Sequence, residues 1–129
     1  MCHLALPTWT DIAVISVAEM SLGVPCCNAD FEYRRPTTDV PDVVCQVLLD
    51  AAESRIDDVL EHLQGCYVLV RSAIRCGNVA QQIIASAEEQ DADLIVIGAR
   101  GPMRGISYGL GSVADQVIKY APCSVLIAR

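Results

Sequence analysis

Three short, unbroken aliphatic runs limit the folds open to this chain: Ile12-Ala-Val-Ile-Ser-Val17, Leu94-Ile-Val-Ile97 and Ser124-Val-Leu-Ile127. None alternates apolar with polar residues, so each is expected to be a strand buried on both faces, as in a parallel sheet. A fourth run, Cys66-Tyr-Val-Leu-Val-Arg71, follows Gly65 and does alternate, with Tyr67, Leu69 and Arg71 opposed to Val68 and Val70. That pattern suits an edge strand with one wetter face. Aromatic residues are only 5% of the chain, so Val, Ile, Leu and Ala must build the core.

The intervals between these runs carry helical periodicity. Residues 42–64 place Val44, Val47, Leu48, Ala51, Val59, Leu60 and Leu63 at spacings of three and four, and Asp50, Glu53, Asp57, Asp58 and Glu61 form the opposite, solvated face. Asp39 and Pro41 precede this helix and Gly65 ends it. Residues 79–90 repeat the pattern with Val79, Ile83, Ile84 and Ala87; residues 112–120 repeat it with Val113, Val117 and Ile118, and Pro122 stops the last helix. Strands alternating with helices predict an α/β layer fold, an open parallel sheet with helices on both faces. At 129 residues the chain is expected to form a single domain, 1–129, with residues 20–40 as one long loop.

Composition excludes several classes of function. Hydrophobic residues make up 53% and charged residues 19%, which is not the composition of a disordered chain. The net charge of −7 argues against a nucleic-acid partner. That charge is uneven: residues 1–64 hold eleven acidic and three basic side chains, and residues 65–129 hold five and six, so an anion is expected in the second half. No apolar run approaches the roughly 20 residues of a membrane span, and the opening MCHLALPTW lacks the basic start of an export signal. Seven irregularly spaced cysteines then read as free thiols in a reducing cytoplasm. Cys45 and Cys123 are read as small core hydrophobes. The Cys26-Cys27 pair has no further ligand near it, and His3 and His62 show no metal-ligand spacing.

The segment Gly98-Ala-Arg-Gly-Pro-Met-Arg-Gly-Ile-Ser-Tyr-Gly-Leu-Gly-Ser112 carries the chemistry. Five glycines join the end of a buried strand to the start of a helix, the place where open α/β sheets bind ligands. Glycines let backbone N–H groups approach an anion. Ser112 can cap the helix or donate to a phosphate, and Arg100 and Arg104 supply cations. A P-loop is excluded because Gly111 is followed by Ser112 and not Lys. The dinucleotide fingerprint suggested by Gly109-Leu-Gly111-Ser-Val-Ala114 lacks an immediately preceding strand. The alternative is a surface loop whose glycines only make turns.

The spacing Gly98-x-x-Gly101, nine residues, then Gly111-Ser112 resembles the nucleotide-binding signature of the universal stress proteins. Asp91-Ala-Asp-Leu-Ile-Val-Ile-Gly-Ala-Arg-Gly101 resembles that family's fourth strand and loop, Tyr120-Ala-Pro-Cys-Ser-Val-Leu126 its closing strand, and Arg75-Cys-Gly-Asn-Val-Ala80 its turn into the third helix. The likeness runs from about Asp11 to Arg129. It implies ATP or another adenine nucleotide, with Mg as a candidate companion ion. Gly98, Arg100 and Gly101 would hold ribose and phosphates. Gly111, Ser112, Val113 and Ala114 would wrap the phosphate tail, and Ile97 and Val17 would line the adenine. It also implies a homodimer paired through strand 124–128, where an open aliphatic edge would otherwise be a liability.

The family's first strand, which ends in an adenosine-contacting aspartate, and most of its first helix have no counterpart. The chain is therefore expected to be a truncated member with four strands, residues 1–10 being a stub of the first helix. The strands flanking the absent one would then either pair directly or leave a groove for another chain. Three functions follow: a nucleotide-binding regulatory module of the stress response, an interaction domain with an empty loop, or a slow ATP hydrolase. The last is disfavoured because the loop holds no carboxylate and the second half no histidine, so no catalytic residue is assigned.

Overall fold

The computed structural model describes residues 7, 9–19, 42–63, 69–100 and 109–129, with side chains in the first helix described from Val47 onward. The expected stub at 1–10 for the most part, the loop at 20–40, Cys26-Cys27, the start of the 66–71 run, Gly101 and Arg104 lie outside the described residues. The elements are β1 (Asp11–Ala18), α1 (Asp42–Leu63), β2 (Leu69–Cys76), α2 (Val79–Glu89), β3 (Leu94–Gly98), α3 (Ser112–Tyr120) and β4 (Ser124–Ala128). The chain is thus α/β, with four strands among the described residues. They pair two and two, β1 with β2 and β3 with β4. The chain divides into two compact units at Arg75 and Cys76.

In the first unit, burial deepens along β1 from exposed Asp11 to Ser16, Val17 and Ala18, all buried at the carboxyl end. Burial of three consecutive strand residues means both faces are covered there. Helix α1 packs on β1. Its buried positions are Ala52 and Ile56, with Leu48, Leu60 and Leu63 half-buried in line with them. This corrects the expected stripe, because Val47, Ala51 and Val59 are exposed. Strand β2 runs later than the 66–71 expected, through Arg71, Ser72 and Arg75 to Cys76. Arg71 reaches Asp11 of β1 at 3.5 Å, an exposed pair that adds little stability. Arg75 is buried. Cys76 is disulfide-bonded, so the expectation of free thiols throughout does not hold.

The second unit begins with a sharp turn. Gly77 has φ +124°, a conformation open to glycine and strained for other residues. Asn78 then caps α2: its Oδ1 accepts from the Gln81 N–H at 3.1 Å. The helix ends with Asp91 in the left-handed region at φ +49°. The Ala92 N–H donates to the Ala87 carbonyl at 2.9 Å and the Asp91 N–H to that of Glu88 at 3.2 Å, the pair of bonds of a Schellman stop.

Strands β3 and β4 run parallel and in register, Leu94 opposite Ser124 through Gly98 opposite Ala128. Side chains alternate across this sheet. Ile95, Ile97 and Val125 face a core made with Ala80, Ala87 and Val117, joined by Ile83, Val113 and Cys123. Cys123 is a free thiol within this packing, as a small core hydrophobe would be. Both α2 and α3 cover that one face. On the other face Leu94, Val96 and Leu126 are 43%, 57% and 39% exposed, which corrects the expectation that every residue of these two runs is buried. Ile118, expected inside, is also exposed, because α3 turns Val113, Ala114 and Val117 inward instead.

Candidate functional site

The glycine-rich segment leaves the carboxyl end of β3 and returns at the start of α3, and three hydrogen bonds fix where it does so. The Ala99 N–H donates to the Ala128 carbonyl at 2.8 Å, extending the β3–β4 ladder by one residue. The Gly111 N–H donates to the Ala99 carbonyl, also at 2.8 Å, and so holds the helix start beside the strand end. Arg100 Nε donates to the Gly109 carbonyl at 3.3 Å across the mouth of the loop. Gly109 itself has φ +151°.

Helix α3 opens without a side-chain cap. Gly111 is the N-cap residue and Ser112 the first residue of the helix, so Ser112 does not cap it as the sequence suggested. Gly111 has no side chain to bond the amides of the first turn, and those amides present the positive end of the helix dipole. The acid nearest them is Asp115, whose Oδ2 lies 2.7 Å from Lys119 Nζ. This hydrogen bond, together with the carboxylate's charge, raises the Lys119 pKa above its ordinary 10.5. The pairing offsets a charge that would otherwise repel an anion from the helix start.

The proposed contacts separate by what they can offer. Gly98, Arg100 and Ser112 are exposed at the strand end and helix start. Val113 packs against the core and Ala114 is buried, so their contribution to a ligand is confined to backbone N–H groups. Ile97 also packs against the core formed by α2 and α3. Val17 is buried at the carboxyl end of β1, in the first unit. Gly101 lies outside the described residues.

Gly98 bears directly on ligand fit. Its φ is not positive, and a Cβ there would meet only the Arg100 carbonyl oxygen at 3.5 Å, an ordinary contact. The protein's own packing therefore does not demand glycine at this position. A group lying against the backbone would. Sequence reasoning missed the Gly111–Ala99 bond, and the Gly-x-Gly before an apolar-periodic helix was its available signal.

Comparison with known proteins agrees with this architecture. The chain is 40% identical over 62 residues to a universal stress protein of Methanothermobacter thermautotrophicus, covering 48% of this chain and 42% of that protein. It is 33% identical over 78 residues to universal stress protein G of Salmonella typhimurium, covering 60% and 54%. It thus spans about half the length of the curated relatives it matches. Among solved structures, the universal stress protein UspA of Lactobacillus plantarum superposes with a TM-score of 0.65 at 25% identity, covering 92% of this chain and 77% of that one. The hypothetical protein MJ0577 of Methanocaldococcus jannaschii superposes with a TM-score of 0.62 at 25% identity, covering 67% and 60%. The model of the universal stress protein family matches residues 33–129, three quarters of the chain, and the chain belongs to that family.

Proposed function

We propose that this chain is an adenine-nucleotide-binding regulatory module of the stress response, with ATP or AMP held between the carboxyl end of β3 and the start of α3. The observation that carries the reading is the uncapped N-terminus of α3, held beside the strand end by the Gly111–Ala99 hydrogen bond. Backbone amides converging at a helix start suit a phosphate tail. Gly98 leaves room for ribose, Arg100 supplies positive charge, and the Ser112 hydroxyl donates to phosphate. Gly101, Val113 and Ala114 add backbone N–H groups. When bound with the nucleotide, Mg would offset charge between phosphates. The residues assigned to the site serve binding, and the nucleotide is read as a signal.

The same reading includes a cytoplasmic homodimer. Strand β4 pairs with β3 on one side, and among the described residues no strand pairs with its other edge. An open aliphatic edge favours pairing with a second copy.

Titration calorimetry with ATP and AMP tests the site. Micromolar binding that falls at least tenfold in both Ser112→Ala and Gly111→Val is the expected result. Undetectable binding of both nucleotides at millimolar concentration overturns it.

A further inference from the structure

Helices α2 and α3 pack against each other in the second unit, and a cavity of about 330 Å³ lies between them. Its walls include Ala80, Ile84, Ala85 and Glu88 of α2 and Gln116 and Tyr120 of α3. On α2 these positions recur at spacings of three and four, so they form one stripe roughly 12 Å long. The nucleotide reading uses the other end of α3: Ser112 opens that helix, and Gln116 and Tyr120 stand one and two turns further along.

The groove is apolar along its floor and negative at one end. Ala80 is buried, Ile84 and Ala85 are half-buried, and Tyr120 is 69% exposed beside them. An aromatic ring with one wet side and one apolar side is a common anchor at protein interfaces. From Cys76 to Ala99 the sequence holds four acids, Glu88, Glu89, Asp91 and Asp93, and no lysine or arginine. All four are exposed at the close of α2, where the helix dipole is itself negative and the last turn has no basic residue. Lys119, next to Tyr120, is engaged by Asp115 at 2.7 Å. Among the described residues no cation pairs with Glu88.

We propose that the groove between α2 and α3 is a docking site for a basic amphipathic helix of a partner protein. The apolar stripe of that helix would rest on Ile84, Ala85 and Tyr120, and its arginine or lysine would pair with Glu88 at the negative end. Two helices lying side by side leave a furrow that suits a third, and an amphipathic helix set in an apolar groove is a recurrent mode of recognition. Charge decides the kind of partner, since the lining holds a carboxylate and no cation. An exposed ion pair alone is weak, so the apolar stripe and the cation are both required. The proposal is independent of nucleotide binding.

The test adds a fluorescently labelled peptide of about 18 residues, long enough to form a helix, to the whole chain. It is built from leucine, alanine and arginine, with its leucines at spacings of three and four. A scrambled peptide of the same composition carries equal charge without the stripe. Binding is read by anisotropy and its location by NMR shifts of backbone amides. Saturable micromolar binding is expected, with shifts confined to α2 and α3 and at least tenfold weaker binding of the scrambled peptide. Ala85→Phe, which fills the groove, and Glu88→Lys, which reverses its charge, should each weaken binding at least tenfold. Glu88 is exposed, so Glu88→Lys should leave the urea midpoint essentially unchanged, and its loss of binding is then not loss of fold. Glu53→Lys makes the same change of charge on the exposed side of α1 and should alter affinity less than twofold. Absence of binding, equal binding of the scrambled peptide, or an equal loss in Glu53→Lys and Glu88→Lys overturns the proposal.

Discussion

Gly111 and Ala99, twelve positions apart in the chain, share a 2.8 Å hydrogen bond that closes the glycine-rich loop at its base. The bond places the first turn of α3 at the end of β3 by backbone alone. The Arg100 side chain adds a second tie across the loop, its Nε donating to the Gly109 carbonyl at 3.3 Å. This separates two kinds of glycine in the chain: those that shape the backbone and those that leave space.

Gly98 is the second kind. Gly98→Ala should leave denaturation midpoints essentially unchanged, since the new methyl meets only the Arg100 carbonyl at an ordinary 3.5 Å. The same substitution should weaken ATP binding at least tenfold. Urea unfolding beside calorimetry on one preparation checks both halves.

Gly77 is the first kind. Gly77→Ala must hold a φ of +124° with a Cβ, and should destabilise the protein by ~1–3 kcal/mol. A fall in the urea midpoint at constant slope is the expected signature.

Asp91 ends α2 in the left-handed region without being glycine. Asp91→Gly relieves that strain but frees the unfolded chain, and the balance should stabilise by about 0.5 kcal/mol. A rise in the urea midpoint checks it; a fall would mean that the Asp91 side chain contributes to the helix stop.

Val117 is fully buried, at 0% exposure, in the core beneath α3. Val117→Ala should cost about 2 kcal/mol through lost burial and the cavity left behind. The same unfolding experiment measures it.

Lys119 titrates above its ordinary 10.5 because Asp115 faces it. Its folded-state pKa is raised, so the contribution of the pair is fully present below the unfolded value and disappears as pH rises through the folded one. Asp115→Asn should bring the Lys119 titration down toward 10.5, read by NMR of the lysine side chain, with little change in stability near pH 7.

The element order was readable because its signals are periodic. Helices α2 and α3 fall where apolar spacings of three and four place them, and β1, β3 and β4 where the aliphatic runs do. What failed was sidedness. Val47, Ala51 and Val59 make an apolar stripe next to the one through Ala52 and Ile56, and spacing cannot say which faces the sheet. Leu94 and Val96 look the same in sequence as Ile95 and Ile97, yet the second pair lies under helices and the first does not. The end of β2 was hidden by Arg71, Ser72 and Arg75, whose burial or pairing depends on neighbours distant in sequence. Glycine spacing drew attention to Gly98, Arg100 and Ser112, which lie exposed at the end of β3 and the start of α3. The turn through Gly77 and Asn78 into α2 was legible in the Arg75–Ala80 segment, whereas Gly111 as the N-cap had a local signal that was passed over.

The Ala99–Ala128 hydrogen bond sets the last residues of the sequence against the base of the loop. Any polypeptide fused after Arg129 therefore emerges next to the mouth through which a ligand would enter. A purification handle placed there would shade the entrance and depress measured affinity for reasons unrelated to the loop.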